Sequence, residues 1–265
     1  MVEEALIFYR KYVKRKTYGW SGDYSSWQQA LQNCTGYDAL NILEKVKDAT
    51  IKVKNGEANY EKDSVLFNII QYSYPLLSAL LWKALLNNSK LNVIDFGGSL
   101  GSTYYQNKKY LDDINEVRWN IIEQANFVDT GRKYIQDDRI SFHSSFEEAQ
   151  VIHKADLLVI SCALQYIEKP YELIKKIIQY NILHIIIDNT PFNYENRDRI
   201  TVQKVPPAIY TASYPCWFLD HDNVVSAFSE KYTLISKHNN DDTIELDGRI
   251  IHYEGFLLEL KRETT

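Results

Sequence analysis

The stretch Asn92–Tyr105, NVIDFGGSLGSTYY, decides how this chain folds. A short apolar run ends in an acid, Asp95, and a glycine-rich turn leads into a helical segment. Glycine lets backbone pass close to a ligand, so the question is which ligand. A phosphate-binding P-loop needs G-x-x-x-x-G-K-[ST], with the lysine on the phosphates. The first lysine after this turn is Lys108, which excludes that loop. A dinucleotide fingerprint needs G-x-G-x-x-G, and Gly97, Gly98 and Gly101 do not have that spacing. What remains is an acid two residues before a run of small residues, which lets the backbone close on a ligand without the phosphate-binding lysine.

Outward from the turn, strands and helices alternate. NVIDFG, VRWNIIEQ, RISFHSS, ADLLVIS and LHIIIDNTPF read as strands. STYYQNKKYLDDI, FVDTGRKYIQD and PYELIKKIIQYN read as helices between them. Alternation of this kind means a parallel sheet covered on both faces. The tail differs: RITVQKV, YTLISKH and RIIHYEGFLLEL read as strands, with a helix NVVSAFSEKY after the first and a hairpin turn at Asp247-Gly248. The expected fold is therefore α/β, a Rossmann-like sheet that finishes in antiparallel strands. Residues 1–90 read as helical throughout and form an N-terminal helical cap; residues 91–265 form the sheet domain. In the cap, SSWQQALQNC begins on a serine cap at Ser25 or Ser26. ALNILEKVKDATIKVKNG runs at helical spacing to Gly56, and SYPLLSALLWKALLNN carries Pro75 near its start, where proline is tolerated. MVEEALIFYRKYVKRK reads as an amphipathic helix, with Lys11–Lys16 as a solvated helix end.

Composition narrows the function. The 265 residues carry a net charge of −5, which argues against a general nucleic-acid binder with its basic face. Cys34, Cys162 and Cys216 lie far apart, without metal spacing, which fits a reducing cytoplasm. No histidine spacing marks zinc, and Asp241, Asp242, Glu245 and Asp247 read as a solvated turn, so no metal is expected. The opening apolar run is too short and too charged for a membrane span. The 20 tyrosines and 5 tryptophans exceed what a core alone requires and can line a pocket.

The glycine turn resembles that of the class I S-adenosylmethionine-dependent methyltransferases, Asp/Glu-x-Gly-x-Gly-x-Gly after the first strand. Asp95, Gly97 and Gly101 take the acid, first-glycine and third-glycine positions. Ser99 stands where the second glycine usually is, with Gly98 beside it. Glu123, at the end of RWNIIE and next to Gln124, is placed to accept both ribose hydroxyls. The loop after the third strand, His143-Ser144-Ser145-Phe146-Glu147, falls where the adenine lies, with serine hydroxyls for its amine and Phe146 for its ring. Ser161-Cys162-Ala163-Leu164-Gln165-Tyr166 resembles the segment where substrate and methyl group meet. More widely, WSGDYSSW, GYDALNILEKV, EKDSVLF, DFGGSLGSTYYQN, IIEQANFV, LQYIEKPY, IIIDNTPF and RITVQKVPPAIYTASYPCWF, from about Trp20 to Phe218, resemble a bacterial methyltransferase family. Its genes sit among those for surface polysaccharide or lipopolysaccharide synthesis. The family pattern has an arginine where this chain has Lys62. The resemblance implies methyl transfer to a glycan or its nucleotide-linked precursor.

Ligands of open α/β sheets bind beyond the carboxyl ends of the strands, and a hydroxyl acceptor calls for a base within hydrogen-bond reach. Asp188, ending the fifth strand, ranks first. Tyr166 can orient the acceptor, and His143 is a base by residue type but lies toward the adenine loop. Arg199–Phe218 is the expected acceptor wall, with Arg199, Gln203, Tyr210, Tyr214 and Trp217, beside Gln165. Trp20 and Asp23 can form a lid. Two other classes compete: a nicotinamide-dependent oxidoreductase on the same topology, which the absent G-x-G-x-x-G counts against, and a non-catalytic scaffold, which the set Asp95, Gly97, Gly101 and Glu123 counts against.

Overall fold

The computed structural model describes residues 18–34, 39–150 and 154–262. The expected N-terminal amphipathic helix and the Lys11–Lys16 cluster lie outside these residues. The elements run in chain order as β1 (Gly19–Tyr24), α1 (Trp27–Gln32), α2 (Ala39–Lys54), β2 (Tyr60–Lys62), β3 (Val65–Phe67), α3 (Tyr74–Leu86), β4 (Lys90–Phe96), α4 (Ser102–Leu111), β5 (Glu116–Ile122), α5 (Ala125–Tyr134), β6 (Ile140–His143) and α6 (Phe146–Gln150). They continue as β7 (Leu157–Ser161), a 3₁₀ turn at Leu164–Tyr166, α7 (Pro170–Gln179), β8 (His184–Thr190), β9 (Arg199–Lys204), β10 (Ser213–Phe218), α8 (His221–Phe228), β11 (Tyr232–Leu246) and β12 (Arg249–Leu260).

Seven strands form the main sheet in the order β11-β12-β8-β7-β4-β5-β6. The five from β8 to β6 are parallel, and β12 enters antiparallel between β8 and β11. This is the Rossmann-like sheet, finishing in antiparallel strands, expected from the sequence. One face buries Leu76 and Leu80 of α3, Tyr104 of α4 and Phe127 of α5 against Val93, Trp119 and Val159. The other buries Phe146 of α6, Ile174 and Ile177 of α7 and Phe228 of α8 against Ile94, Leu158 and Ile185. Both faces are covered, which is why the parallel strands are continuous apolar runs rather than alternating ones.

Caps and turns follow the sequence cues. Ser26 accepts the Gln29 N–H as the N-cap of α1, Pro75 opens α3, and Asp247 and Gly248 take φ 51° and 79° in the β11–β12 turn. The region before residue 90 is not helical throughout. β1 adds to β9, giving a second, antiparallel sheet β1-β9-β10, and β2 and β3 form a hairpin whose turn holds Asp63 and Ser64 at positive φ. RITVQKV is a strand as expected, but it joins this second sheet instead of the main one. α1 covers one side of the second sheet through Ala30, Ile200, Val202 and Trp217. The other side packs through Trp20 and Phe218 on Ile244 and Leu246 of β11.

Gly131 in α5 faces the Phe142 ring, and a Cβ there would lie 2.4 Å from it. Alanine gains about 0.8–1 kcal/mol of helix propensity, whereas overpacking a core costs about 1–3 kcal/mol. Phe142 is 1% exposed and has no room to yield, so Gly131→Ala is expected to lower stability, read as a lower urea midpoint with an unchanged slope.

Candidate functional site

The carboxyl ends of β4, β5, β7 and β8 gather the groups singled out from the sequence. Asp95 is fully buried and accepts the Trp119 indole N–H at 3.0 Å. Burial pushes its carboxyl up to about 7; the Trp119 bond works against this and the nearby Glu123 charge adds to it. Gly97, Ser99 and Gly101 all take positive φ, at 73°, 54° and 100°, so the turn curls with left-handed residues at alternate positions. A Cβ on Gly97 would meet that of Ala163 at 2.6 Å, and one on Gly98 would lie 2.5 Å from the Asp95 carboxyl. The turn is thus pressed against both its own acid and the β7 loop. Glu123 closes it from β5, accepting the Ser99 N–H at 3.2 Å and the Gln124 N–H at 2.8 Å. Burial raises the Glu123 carboxyl pKa, and these two N–H groups oppose the rise.

One acid at this turn came from outside the sequence motif. Glu61 of β2 is buried, accepts the Ser102 hydroxyl at the start of α4 and accepts the Ser64 N–H at 3.3 Å. Burial pushes it up to about 7. Its signal lay in the EKDSVLF segment. The same hairpin sends Lys62 to Asp242 of β11 at 2.7 Å, a pairing that a lysine point charge satisfies.

At the β6 end, His143 contacts the Ser141 hydroxyl at 2.9 Å. It lies four strands from β8, roughly 19 Å at the usual strand spacing. His143 therefore cannot share a reaction centre with Asp188, and its placement as a base is corrected on distance. Phe146 is 2% exposed, with one face stacked on Phe96 and the other on Tyr180; neither face is free for an adenine ring. The half-buried Phe96 stands just before Gly97. Ser145 caps α6 by accepting the Glu148 N–H, and the Ser144 N–H donates to Glu148.

Beyond β7, Cys162 takes φ 53° and its N–H donates to the Asp188 carbonyl at 3.0 Å. Packing pushes its thiol up to about 12, so it is no nucleophile. Gln165 is buried, donates to the Cys162 sulfur and leaves its carbonyl oxygen unpartnered. Tyr166 donates to Gln203 at 2.8 Å and packs edge-on against Tyr214. Trp20, Gln203 and Tyr214 are in register across β1, β9 and β10, so one row of the second sheet faces Tyr166, and Tyr210 reaches Tyr214 at 3.3 Å.

Other acceptor-side expectations are corrected by what the side chains touch. Trp217 points to the opposite side, stacked on Trp27 and bonded to the Ile167 carbonyl. Arg199 donates to the Gly22 carbonyl and pairs with Asp247, which ties β1 to the β11–β12 turn. Asp23 forms a two-pronged surface pair with Arg197. Asp188 is 0% exposed; its Oδ1 accepts from His238 at 2.9 Å and Asn240 at 3.1 Å, and its Oδ2 from Asn189 at 3.3 Å. So enclosed, it has no face to offer an acceptor directly. His238 was invisible in YTLISKH; its signal was a glycine in a neighbouring strand, Gly255.

No family model matches the chain, and no curated protein matches it. Solved structures do. An S-adenosylmethionine-dependent methyltransferase from Clostridium acetobutylicum aligns at 10% identity and TM-score 0.45 over 85% of this chain and 100% of that one. Magnesium protoporphyrin IX methyltransferase from Synechocystis with bound S-adenosylmethionine aligns at 11% and 0.45 over 85% and 100%. The N-terminal domain of EvdMO1, determined with S-adenosylhomocysteine and D-fucose, aligns at 11% and 0.46 over 85% and 98%.

Asp95 makes the site pH-dependent. Its folded pKa, about 7, lies above its ordinary 3.8, so folding favours the neutral acid. The stability it contributes is present at low pH and is lost as pH rises through about 7. Wild type should therefore lose stability relative to Asp95→Asn between about pH 4 and 7, and run parallel to it outside that window. Glu61 titrates in the same range but is common to both proteins. Thermal melts across pH check this.

Proposed function

We propose that the protein is an S-adenosylmethionine-dependent methyltransferase that methylates a hydroxyl oxygen of a carbohydrate-type acceptor, a surface-polysaccharide unit or its nucleotide-linked precursor, in the cytoplasm. The observation that carries the reading is the bond from the Ser99 N–H to Glu123. It joins the glycine turn of β4 to the acid at the tip of β5, so that a cradle for an amino-acid end and an acceptor for ribose hydroxyls form one unit.

The donor set fits this cofactor. Gly97, Gly98, Ser99 and Gly101 supply close-approaching backbone without a lysine for phosphate, and Asp95 sits behind them. Glu123 has lone pairs to spare, since two N–H groups take only part of a carboxylate's accepting capacity. When bound, S-adenosylmethionine supplies a methyl group already activated on a sulfonium, so the protein mainly positions the acceptor oxygen. Tyr166 is suited to hold that oxygen, because its hydroxyl is fixed by Gln203 and its burial keeps it protonated. A nicotinamide reading lacks the G-x-G-x-x-G turn. The carbohydrate acceptor is supported by the family resemblance and by Gln203 and Tyr214 beside Tyr166, a polar and an aromatic group of the kind that suits a sugar.

Glu123→Ala should weaken S-adenosylmethionine binding roughly tenfold or more, since hydrogen bonds to a charged group are worth about 1.5–3 kcal/mol. Calorimetry reads this directly, and an unchanged affinity removes the ribose assignment. Incubation with methyl-labelled cofactor and a panel of nucleotide sugars and glycan fragments tests the acceptor.

A further inference from the structure

Gly255 stands within β12, where glycine weakens a strand and marks a close approach. The approaching group is the His238 ring. It leaves β11, passes over β12 and reaches Asp188 on β8. A Cβ on Gly255 would lie 2.4 Å from His238 Nε2 and 2.5 Å from the Ile187 carbonyl oxygen. Two bulges aim the partners. β8 carries one extra residue between Ile187 and Thr190, opposite Gly255, with Asn189 at φ 47°. β11 carries two extra residues between Asn239 and Thr243, and there Asn240 turns onto Asp188. Bulges re-aim side chains and collect beside active sites.

An ionised carboxylate only accepts, so the bond to Asp188 places the ring proton on His238 Nε2 and leaves a lone pair on Nδ1. Nδ1 has no hydrogen-bond partner among the described residues. His238 is one of the residues lining a cavity of about 250 Å³ between α3 and the sheet, with Trp82, Ile186 and Leu257, whereas Asp188 does not line it. The pair adjoins the β7 loop through the Cys162 N–H bond to the Asp188 carbonyl.

We propose that His238 takes the proton of the acceptor hydroxyl and that Asp188 is its positioning residue; this rests on the methyltransferase reading. The proton moves to Nδ1 as the hydroxyl oxygen takes the methyl group and the carbon–sulfur bonding pair stays on sulfur. The imidazolium is then balanced by the Asp188 carboxylate. Such a base serves an alcohol, which keeps its proton at neutral pH.

Nitrogen-15 histidine NMR on the full chain at about pH 8.5, well above the ordinary histidine pKa of about 6.5, decides the point, with His238→Gln assigning the signal. The expected result is a single Nε2–H tautomer for His238, lost in Asp188→Asn and in Gly255→Ala. Melting curves verify that each variant folds. In methyl-labelled assays on a small-molecule extract, His238→Gln should lower transfer about 10²–10⁴-fold with cofactor affinity unchanged. An Nδ1–H tautomer, a tautomer indifferent to Asp188→Asn, or wild-type transfer by His238→Gln overturns the proton role alone. A wild-type chain that binds no S-adenosylmethionine overturns the methyltransferase reading, and the proton role with it.

Discussion

The burial of Asp95 constrains everything around it. A carboxyl taken out of water at the end of a parallel strand is costly unless it is bonded or neutral. Here both remedies operate: Trp119 donates to it from the next strand, and burial shifts it toward the protonated form. The Trp119 bond fixes β4 against β5 at the level where the glycine turn begins. The same carboxyl allows no side chain at position 98. The path of the turn, its distance from Ala163 and its bond to Glu123 all follow from keeping that acid covered.

The second constraint is that the sheet beside Tyr166 is assembled from widely separated parts of the chain. The β1-β9-β10 sheet takes its first strand from residues 19–24 and its last from residues 213–218. The β2–β3 hairpin stands on the start of α4 through Glu61 and Ser102 and reaches β11 through Lys62 and Asp242. Arg199 and Asp23, which look like ligand groups in a sequence, form these joints with Asp247 and Arg197. An exposed ion pair contributes little stability, a median of about 0–1 kcal/mol. Their common effect is registration: they hold three separate pieces of chain around one edge of the main sheet.

What could be read from sequence divides along the same line. The parallel sheet was legible because buried strands are apolar runs with helices between them, a local pattern. The Asp247-Gly248 turn, the Ser26 cap and Pro75 were legible because capping and turn chemistry act over a few residues. β1 and β10 were not. GWSGDY is short and its pairing partner lies far along the chain, and SYPCWF carries Pro215, which a strand tolerates here only because β10 is an edge. Asp95, Glu123, Tyr166 and Asp188 do gather at one end of the sheet. Trp217, Phe146 and His143 were misjudged because residue type and chain position do not say which face a side chain occupies or what already covers it.

The exchange of glycine and serine at positions 98 and 99 has a physical basis. A left-handed backbone costs an ordinary residue roughly 1–2 kcal/mol, and Ser99 sits there at φ 54°. Its N–H donates to Glu123, and a bond to a charged acceptor contributes about 1.5–3 kcal/mol, enough to hold the conformation without glycine. Position 98 has no such freedom. Its φ is ordinary, but the Asp95 carboxyl occupies the space where a Cβ would stand. The turn therefore spends its middle glycine on room rather than on dihedral angle, one residue earlier than the usual spacing. The same logic places Gly255 under His238: in both cases the glycine lies against the side chain whose position matters, and the carboxyl it leaves room for is fully buried.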